Sequence, residues 1–575
     1  MTDDLLQKRR PPVLSKTHRI VLLEAAIALC FAVYVYRLFS MQVLLSDTYR
    51  TQSRTVSSQI SRIPAQRGEI FDRYANVPMV INTDSFAVEI TPAEIPAGHY
   101  DTVASRLAQY LGVSKFDIDK RVPEKLRKSY TAITVRSNVP FETISNIAEN
   151  KIDLPGVSWV SRPIRNYVET GSLSHIIGYV GDITQEEINV LYNQGYTRNS
   201  IVGKTGIEKQ YDQLLQGTSG IESRTVDVRG RILSDTPDIT PPQPGKNLVL
   251  TIDSRIQTLA EKTLLNRAVA AQYPPGSTFK IIMVSALLQE KSFSPFEKIE
   301  CKGKLAYGNR TFHCHVHEPG HGWLDLKNAL AQSCDVYFWT IGRDYLGIDK
   351  IAQYSTMFGL GKNAEIDLPN QVSGFIPTAL WKERKYHEKW LGGDTMSASI
   401  GQGYILATPL QIADMMAMVC NEGVIYKPHL LKEVRDPSTS EVITEVKPEV
   451  LFKSDIPSEV WKTVQEDCRY TITDGTPQYP MRNKLIRSAG KTGTSEVAQY
   501  KNSWHSWMVA YAPYDAPVED QVVVSTIVEA VNPWEWWSPY ATNIIIQGIF
   551  ANQTYEEAVN ALGFHHLLAN GNRQE

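Results

Sequence analysis

The chain has 575 residues, 42% of them apolar and 21% charged, with a formal net charge of −3. That length is too great for one hydrophobic core and predicts about two to four domains. Ordinary composition and near-neutral charge give no reason to expect a nucleic-acid partner.

In chain order, the first feature is an apolar run from Ile20 to Tyr36 that continues amphipathically to Leu45, about the length a bilayer requires. Lys8, Arg9, Arg10, Lys16 and Arg19 precede it. The positive-inside rule therefore makes residues 1–19 a cytoplasmic tail and residues 20–45 a transmembrane anchor with a juxtamembrane helix, and it puts the rest outside the cytoplasmic membrane. No small-residue cleavage site follows, so the anchor is expected to remain uncleaved. Glu24 is costly inside a membrane span and faces either the headgroups or a partner helix. From 46 to 245, short β-like stretches such as Phe86–Ile90 alternate with helical ones and with Pro and Gly turns. This region reads as an elongated pedestal that docks partners. Tyr211 to Val228 predicts a helix and then a hairpin leading into a second domain, 246–575.

The chemistry sits in that second domain. In Tyr273-Pro274-Pro275-Gly276-Ser277-Thr278-Phe279-Lys280, a stiff turn presents Ser277 at the start of the helical run Ile281–Leu288. A serine and a lysine three apart share one helix face. There a neutral Lys280 in a dry pocket can take the proton that makes Ser277 a nucleophile. Free N–H groups at the helix start favour a developing oxyanion. Ser333-Cys334-Asp335 interrupts an apolar stretch and supplies a second hydroxyl and a carboxylate; read alone, it equally suits a helix cap. Lys491-Thr492-Gly493-Thr494 supplies a cation, hydroxyls and a residue without Cβ, against which a substrate backbone can lie. A second Lys-Thr-Gly, at 204–206, precedes the nucleophile and runs into helix-like sequence, so it reads as structural.

Serine-x-x-lysine, serine-x-aspartate and lysine-threonine-glycine in this order, roughly 55 and 160 residues apart, resemble the penicillin-binding protein signature. Arg67-Gly68-Glu69, His175–Gly181, Gly206-Ile207-Glu208, Gly401-Gln402-Gly403 and Thr408–Gln411 extend the resemblance to class B penicillin-binding proteins over nearly the whole chain. Asp335 at the third place of its motif looks most like penicillin-binding protein 2, the elongation type; the division type more often carries Asn. Nothing resembles the acidic motif of a glycosyltransferase, against a bifunctional class A enzyme.

The resemblance implies an α/β transpeptidase fold, a mainly antiparallel sheet sandwiched by helices. It also implies D,D-transpeptidation of peptidoglycan stem peptides ending in D-Ala–D-Ala, through a Ser277 acyl-enzyme that β-lactams also form. Lys280 is then the base and Ser333 the relay to the leaving amine, beside Asp335. Lys491, Thr492, Gly493 and Thr494 bind the substrate, the lysine and two hydroxyls holding its carboxylate, and the N–H groups of Ser277 and Thr494 form the oxyanion hole. The implied partner is a RodA-type (SEDS) glycan polymerase gripping anchor and pedestal.

Three of the six cysteines cluster with histidines. Cys301, Cys314, His321 and Cys334 form the preferred set for one structural Zn2+, as elongation-type relatives carry near this motif; none is needed for the chemistry. The alternatives are a Cys301–Cys314 disulfide, or His313, His315 or His317 in place of His321.

Two segments depart from the family. A β-rich hairpin normally lies between the strand Leu248–Asp253 and the nucleophile. Here helix-like Ile256–Leu265 reaches Tyr273 through Asn266–Ala270 with no alternating stretch of strand length. Either a segment of some tens of residues has been omitted or excised, or the sheet lacks two strands by natural loss; omission or excision is the preferred reading. This keeps a non-catalytic scaffold that activates a polymerase as a rival function; a serine β-lactamase or sensor is a weaker rival, because neither suits an anchored pedestal. The aromatic run Asn532–Tyr540 replaces a Gly-rich loop and reads as a packed corner or a lip over the groove. Residues after Thr554 read as a helix and tail.

Overall fold

The computed structural model describes residues 16–48, 58–168, 173–196, 200–226, 236–261, 271–496, 504–531 and 537–565. The chain divides into two compact units, one of residues 1–65, 83–164 and 218–243, the other of 66–82, 165–217 and 244–575.

In the first unit the anchor is a single helix, α1 (Lys16–Phe39), extended by a π-helical turn at Ser40–Leu44. Ile20–Leu44 is an apolar stretch with a mean hydropathy of 1.9 that no described residue buries, which fits a membrane-crossing helix in length and composition. Lys8, Arg9 and Arg10 lie outside the described residues. The expected strand at Phe86–Ile90 is present, central in a three-stranded antiparallel sheet between Ile133–Val139 and Val157–Ser161. The helix Tyr100–Leu111 buries Val103, Ala104, Leu107, Ala108 and Leu111 into the same core as Val88 and Ile90, the helical spacing of an amphipathic face. It stops at Gly112, whose left-handed backbone suits glycine. Of the hairpin expected within Tyr211–Val228 one strand is present, Gly220–Thr225; its antiparallel partners, Ser58–Ile63 and Asp238–Thr240, both lie outside those bounds.

The second unit joins residues 66–82 and 165–217 to the motif-bearing part. A six-stranded sheet runs in the order 442–445, 431–435, 247–250, 70–71, 78–83 and 164–167. Beneath it, Arg67 meets Glu208 at 2.6 Å and Asp212 at 2.7 Å, Arg165 meets Glu208 at 2.7 Å, and Tyr196 donates to Asp212. Glu208 is fully buried. The motifs Arg67-Gly68-Glu69 and Gly206-Ile207-Glu208 therefore serve one buried ion network. Gly206 has φ +58°, and a Cβ there would sit 2.2 Å from the Ile176 carbonyl, so the first Lys-Thr-Gly is a packing turn. Glu208→Ala leaves two buried guanidinium groups without their shared carboxylate and is expected to cost about 3–5 kcal/mol, read as a lower urea midpoint.

The catalytic layer is built from α2 (Lys280–Glu290), α3 (Leu326–Ala331), α4 (Asp335–Ile341), α5 (Pro409–Cys420), α6 (Ser458–Asp474), the strands β1 (Ala489–Glu496), β2 (Trp504–Ala512) and β3 (Val522–Val531), and α7 (Trp537–Phe550). The strands pair antiparallel in the order β1-β2-β3. Residues 280–287 of α2 are all buried, as an apolar helix without a polar face must be. Among the described residues no strand lies between the helix Ser254–Glu261 and the nucleophile turn, and the sheet has three strands. Residues 262–270, where the hairpin would enter, lie outside the described residues, as do Asn532–Trp536. The second half of that aromatic run is helical, with Ser538 fully buried in α7 and donating to the Ser506 carbonyl. Thr554 caps the helix Tyr555–Leu562.

Candidate active site

Ser277 lies in a 3-10 turn, Gly276–Phe279, and Lys280 is the first residue of α2. The expectation of Ser277 at an α-helix N-terminus is corrected by one turn. In 3-10 geometry residues three apart eclipse, so the pair shares a face by tighter winding than an α-helix gives. Two close approaches hold this turn. Gly276 has φ +55°, and a Cβ there would fall 2.4 Å from the Thr494 carbonyl; its N–H donates to the Gly401 carbonyl at 3.0 Å. Pro274 accepts from the Trp507 indole of β2 at 3.1 Å. The nucleophile turn thus sits against β1 on one side and the Gly401-Gln402-Gly403 loop on the other, and Gln402 donates to the Thr494 carbonyl at 3.2 Å.

Ser333 occupies the turn between α3 and α4 with φ +54°, a left-handed backbone that a non-glycine residue adopts at a cost. The turn is held by Ser333 N–H to Leu330 O at 3.1 Å and Cys334 N–H to Ala329 O at 2.9 Å. Its consequence is chemical. Lys280 Nζ donates to the Ser333 carbonyl at 2.7 Å, reaches Ser333 Oγ at 3.3 Å, and pairs with Asp335 Oδ1 at 2.7 Å. Lys280 is completely buried. Burial alone would push the Asp335 carboxyl up, but the Lys280 charge and the His315 side chain outweigh it and hold it below the usual range. Lys280 is therefore an ion-paired amine here rather than an isolated one. Ser277 Oγ makes no hydrogen bond to it.

Lys491 is also fully buried on β1, its Nζ donating to Thr492 O at 3.0 Å and to Thr492 Oγ1 at 3.3 Å. Burial, reinforced by the nearby Lys280 charge, pushes its pKa well below that of an ordinary lysine. Gly493 lies where a Cβ would meet Pro275 O and Thr278 Cγ2 at 2.9 Å, so the glycine lets strand and nucleophile turn touch. Thr494 is exposed at the rim.

Cys301, Cys314, His321 and Cys334 converge, their ligand atoms all within 4.8 Å of one another. His321 Nδ1 is 3.5 Å from Cys301 Sγ and 3.6 Å from Cys314 Sγ. Tetrahedral zinc with bonds of about 2.0–2.3 Å needs ligand separations of about 3.5–3.8 Å, so three thiols and one imidazole fit that ion. All described cysteines are free thiols, so the Cys301–Cys314 disulfide is absent. His321, not His313 or His317, joins the four-residue set; His315 lies between it and Asp335, its Nδ1 3.8 Å from Cys314 Sγ and 3.6 Å from Asp335 Oδ2, and its backbone N–H donates to that same oxygen at 3.3 Å. Asp335 N–H in turn meets Cys314 Sγ at 3.4 Å, which ties the cluster to the catalytic turn.

One polar residue at the site has no sequence motif. Thr476, after α6, places its Oγ1 2.9 Å from Thr492 Oγ1.

Comparison with known proteins agrees with this geometry. The penicillin-binding protein dimerisation domain matches residues 62–250 and the penicillin-binding protein transpeptidase domain residues 239–547. The peptidoglycan D,D-transpeptidase MrdA of Haemophilus influenzae is 28% identical over 88% of this chain and 87% of its own length. The PBP2 chain in a complex with MreC from Helicobacter pylori superposes with a TM-score of 0.71 at 22% identity, covering 88% of this chain and 99% of that one. A chain of a peptidoglycan synthase complex, described for its coordination of polymerization and crosslinking, gives 0.64 at 24% identity over 97% and 100%. The transpeptidase domain alone spans more than half of the sequence, and within it Lys280 pairs with Asp335 while the turn that carries Ser277 packs against the Lys-Thr-Gly strand. The chain belongs to the penicillin-binding protein transpeptidase family, and its relatives there include peptidoglycan D,D-transpeptidases named MrdA.

Proposed function

We propose that this chain cross-links peptidoglycan stem peptides during cell elongation, through an acyl-enzyme on Ser277. The observation that carries this is the Lys280 amine held between Ser333 and Asp335, one 3-10 turn from a serine pressed against the Lys-Thr-Gly strand. As substrate tightens the site, the Lys280 ammonium passes its proton to Asp335, and Ser277 Oγ attacks the penultimate D-Ala carbonyl while its own proton passes to the neutral Lys280 amine. The C–N bond breaks, Ser333 relays the proton to the departing amine, and D-Ala leaves. An amine of a neighbouring stem peptide then takes the acyl group and restores Ser277. Backbone N–H groups of Ser277 and Thr494 stabilise the oxyanion. The substrate carboxylate meets Thr492, Thr494 and Lys491, and its charge offsets the depression that burial imposes on Lys491. With pentapeptide-bearing glycan and an amine acceptor, one D-Ala should be released per cross-link, and a β-lactam should block both. Release without cross-links, or rapid turnover of the β-lactam itself, would contradict a transpeptidase.

Residues 46–245 act in this proposal as pedestal and docking region and 246–575 as the catalytic domain, with the anchor's N-terminus cytoplasmic. The cluster Cys301, Cys314, His321 and Cys334 holds one Zn2+, which supplies structural rigidity only. Zinc should copurify at about one equivalent per chain, and Cys334→Ser should lower both zinc content and penicillin labelling by loosening the Ser333 turn. Elemental analysis without zinc would contradict this.

A chain that only cross-links needs glycan supplied beside it, and a RodA-type polymerase is the proposed source. Glu24, Ala28 and Ala32 lie on one face of α1, where small residues allow close helix approach and a carboxyl seeks a polar partner. Exchanging residues 17–45 for an unrelated span should weaken polymerase copurification and polymerisation while penicillin labelling survives. Unchanged copurification after both that exchange and deletion of the pedestal would defeat the partnership.

A further inference from the structure

We infer that Thr476 is a positioning residue of the substrate-carboxylate subsite: its hydroxyl donates to Thr492 and thereby reserves the Thr492 proton for the acyl donor's carboxylate. This rests on the proposed role of Thr492. A threonine hydroxyl has one proton and two lone pairs. Lys491 Nζ approaches Thr492 Oγ1 at 3.3 Å as a donor, and Thr476 Oγ1 lies 2.9 Å away on the same atom. Were Thr492 to spend its proton on Thr476, it would have none for an arriving carboxylate. With Thr476 as donor, both lone pairs of Thr492 are filled by donors and its proton is left to aim at the anion. Donors on that oxygen also polarise its O–H and strengthen the bond to a carboxylate.

The position of Thr476 is fixed by backbone contacts rather than by chance proximity. Its N–H donates to the Ala331 carbonyl at 3.0 Å. A Cβ on the preceding Gly475 would lie 2.4 Å from that carbonyl and 2.5 Å from Thr471 O, so only glycine lets the chain pass so close. Ala331 is two residues before Ser333. Thr476 therefore ties the serine turn that holds Lys280 to the strand that holds Lys491. Thr492 is only 8% exposed, so little water competes for these bonds.

The test compares two acyl donors on the full-length chain, a penicillin with its free carboxylate and the same penicillin as its methyl ester. Acylation rates are measured for the native protein and for Thr476→Val, Thr476→Ser and Thr492→Val. Thr476→Val should slow the carboxylate donor about tenfold and leave the ester's rate essentially unchanged, as expected for one hydrogen bond to a charged group. Thr476→Ser should behave as native. The ratio of the two rates is insensitive to the fraction of folded protein, and Thr476→Ala reads the same ratio should the valine variant not fold. Equal slowing of both donors, or of neither, overturns the inference. If Thr492→Val shifts the ratio and Thr476→Val does not, only the role of Thr476 falls. If Thr492→Val also leaves the ratio unchanged, the carboxylate role of Thr492 falls with it.

Discussion

Ser277→Ala removes D-Ala release and cross-link formation by about 10⁴-fold or more, the scale on which losing a covalent nucleophile acts. Its melting temperature should stay near native, because Ser277 Oγ supports no hydrogen bond and alanine keeps the 3-10 turn. The two nearest motif hydroxyls are otherwise engaged. Ser333 Oγ is bound to Lys280, and its backbone is locked in the left-handed turn. Thr278 Oγ1 donates to the Pro275 carbonyl at 2.8 Å and is fully buried. Substantial cross-linking by the variant would place the nucleophile elsewhere.

Lys280→Ala has the second-largest expected effect, a fall in acylation rate of at least about a hundredfold, the contribution of a general base. The variant should also be less stable, because it strips a half-buried carboxylate of its buried cation and leaves the Ser333 carbonyl without its donor. The two effects separate in a titration with excess penicillin. If only stability is lost, the folded fraction acylates at the native rate; if the base is lost, all of it acylates slowly. A near-native rate in the folded fraction would make Lys280 a structural ion-pair partner.

The three motifs that meet in the structure were legible as motifs because each is a short run of defined residue types. The anchor and the Phe86–Ile90 strand were legible for the same reason. What depends on distant contacts was not. The φ of +54° at Ser333 is a left-handed cap of α3 that no glycine marks in the sequence, and only the fold shows that it aims the Ser333 carbonyl at Lys280. The Arg67, Arg165, Glu208 and Asp212 network draws on segments far apart in sequence, so its motifs looked like unexplained family marks. The same applies to the grouping of residues 66–82 and 165–217 with the catalytic layer. Thr476 sits in an ordinary Gly-Thr-Pro turn, and only the close Gly475 approach to Ala331 gives it a role. The four-residue cysteine and histidine set was visible as composition. Its geometry puts His321 with the three thiols and sets His315 between Cys314 and Asp335.

The central claim is that this chain, with three described strands in its catalytic sheet, forms a serine acyl-enzyme. The most direct measurement is the mass of the intact chain after incubation with a penicillin, followed by peptide mapping of the adduct. The account predicts a gain of one penicilloyl group, carried by Ser277 and absent from Ser277→Ala. An unmodified chain, or a stable adduct on any other residue, would contradict it.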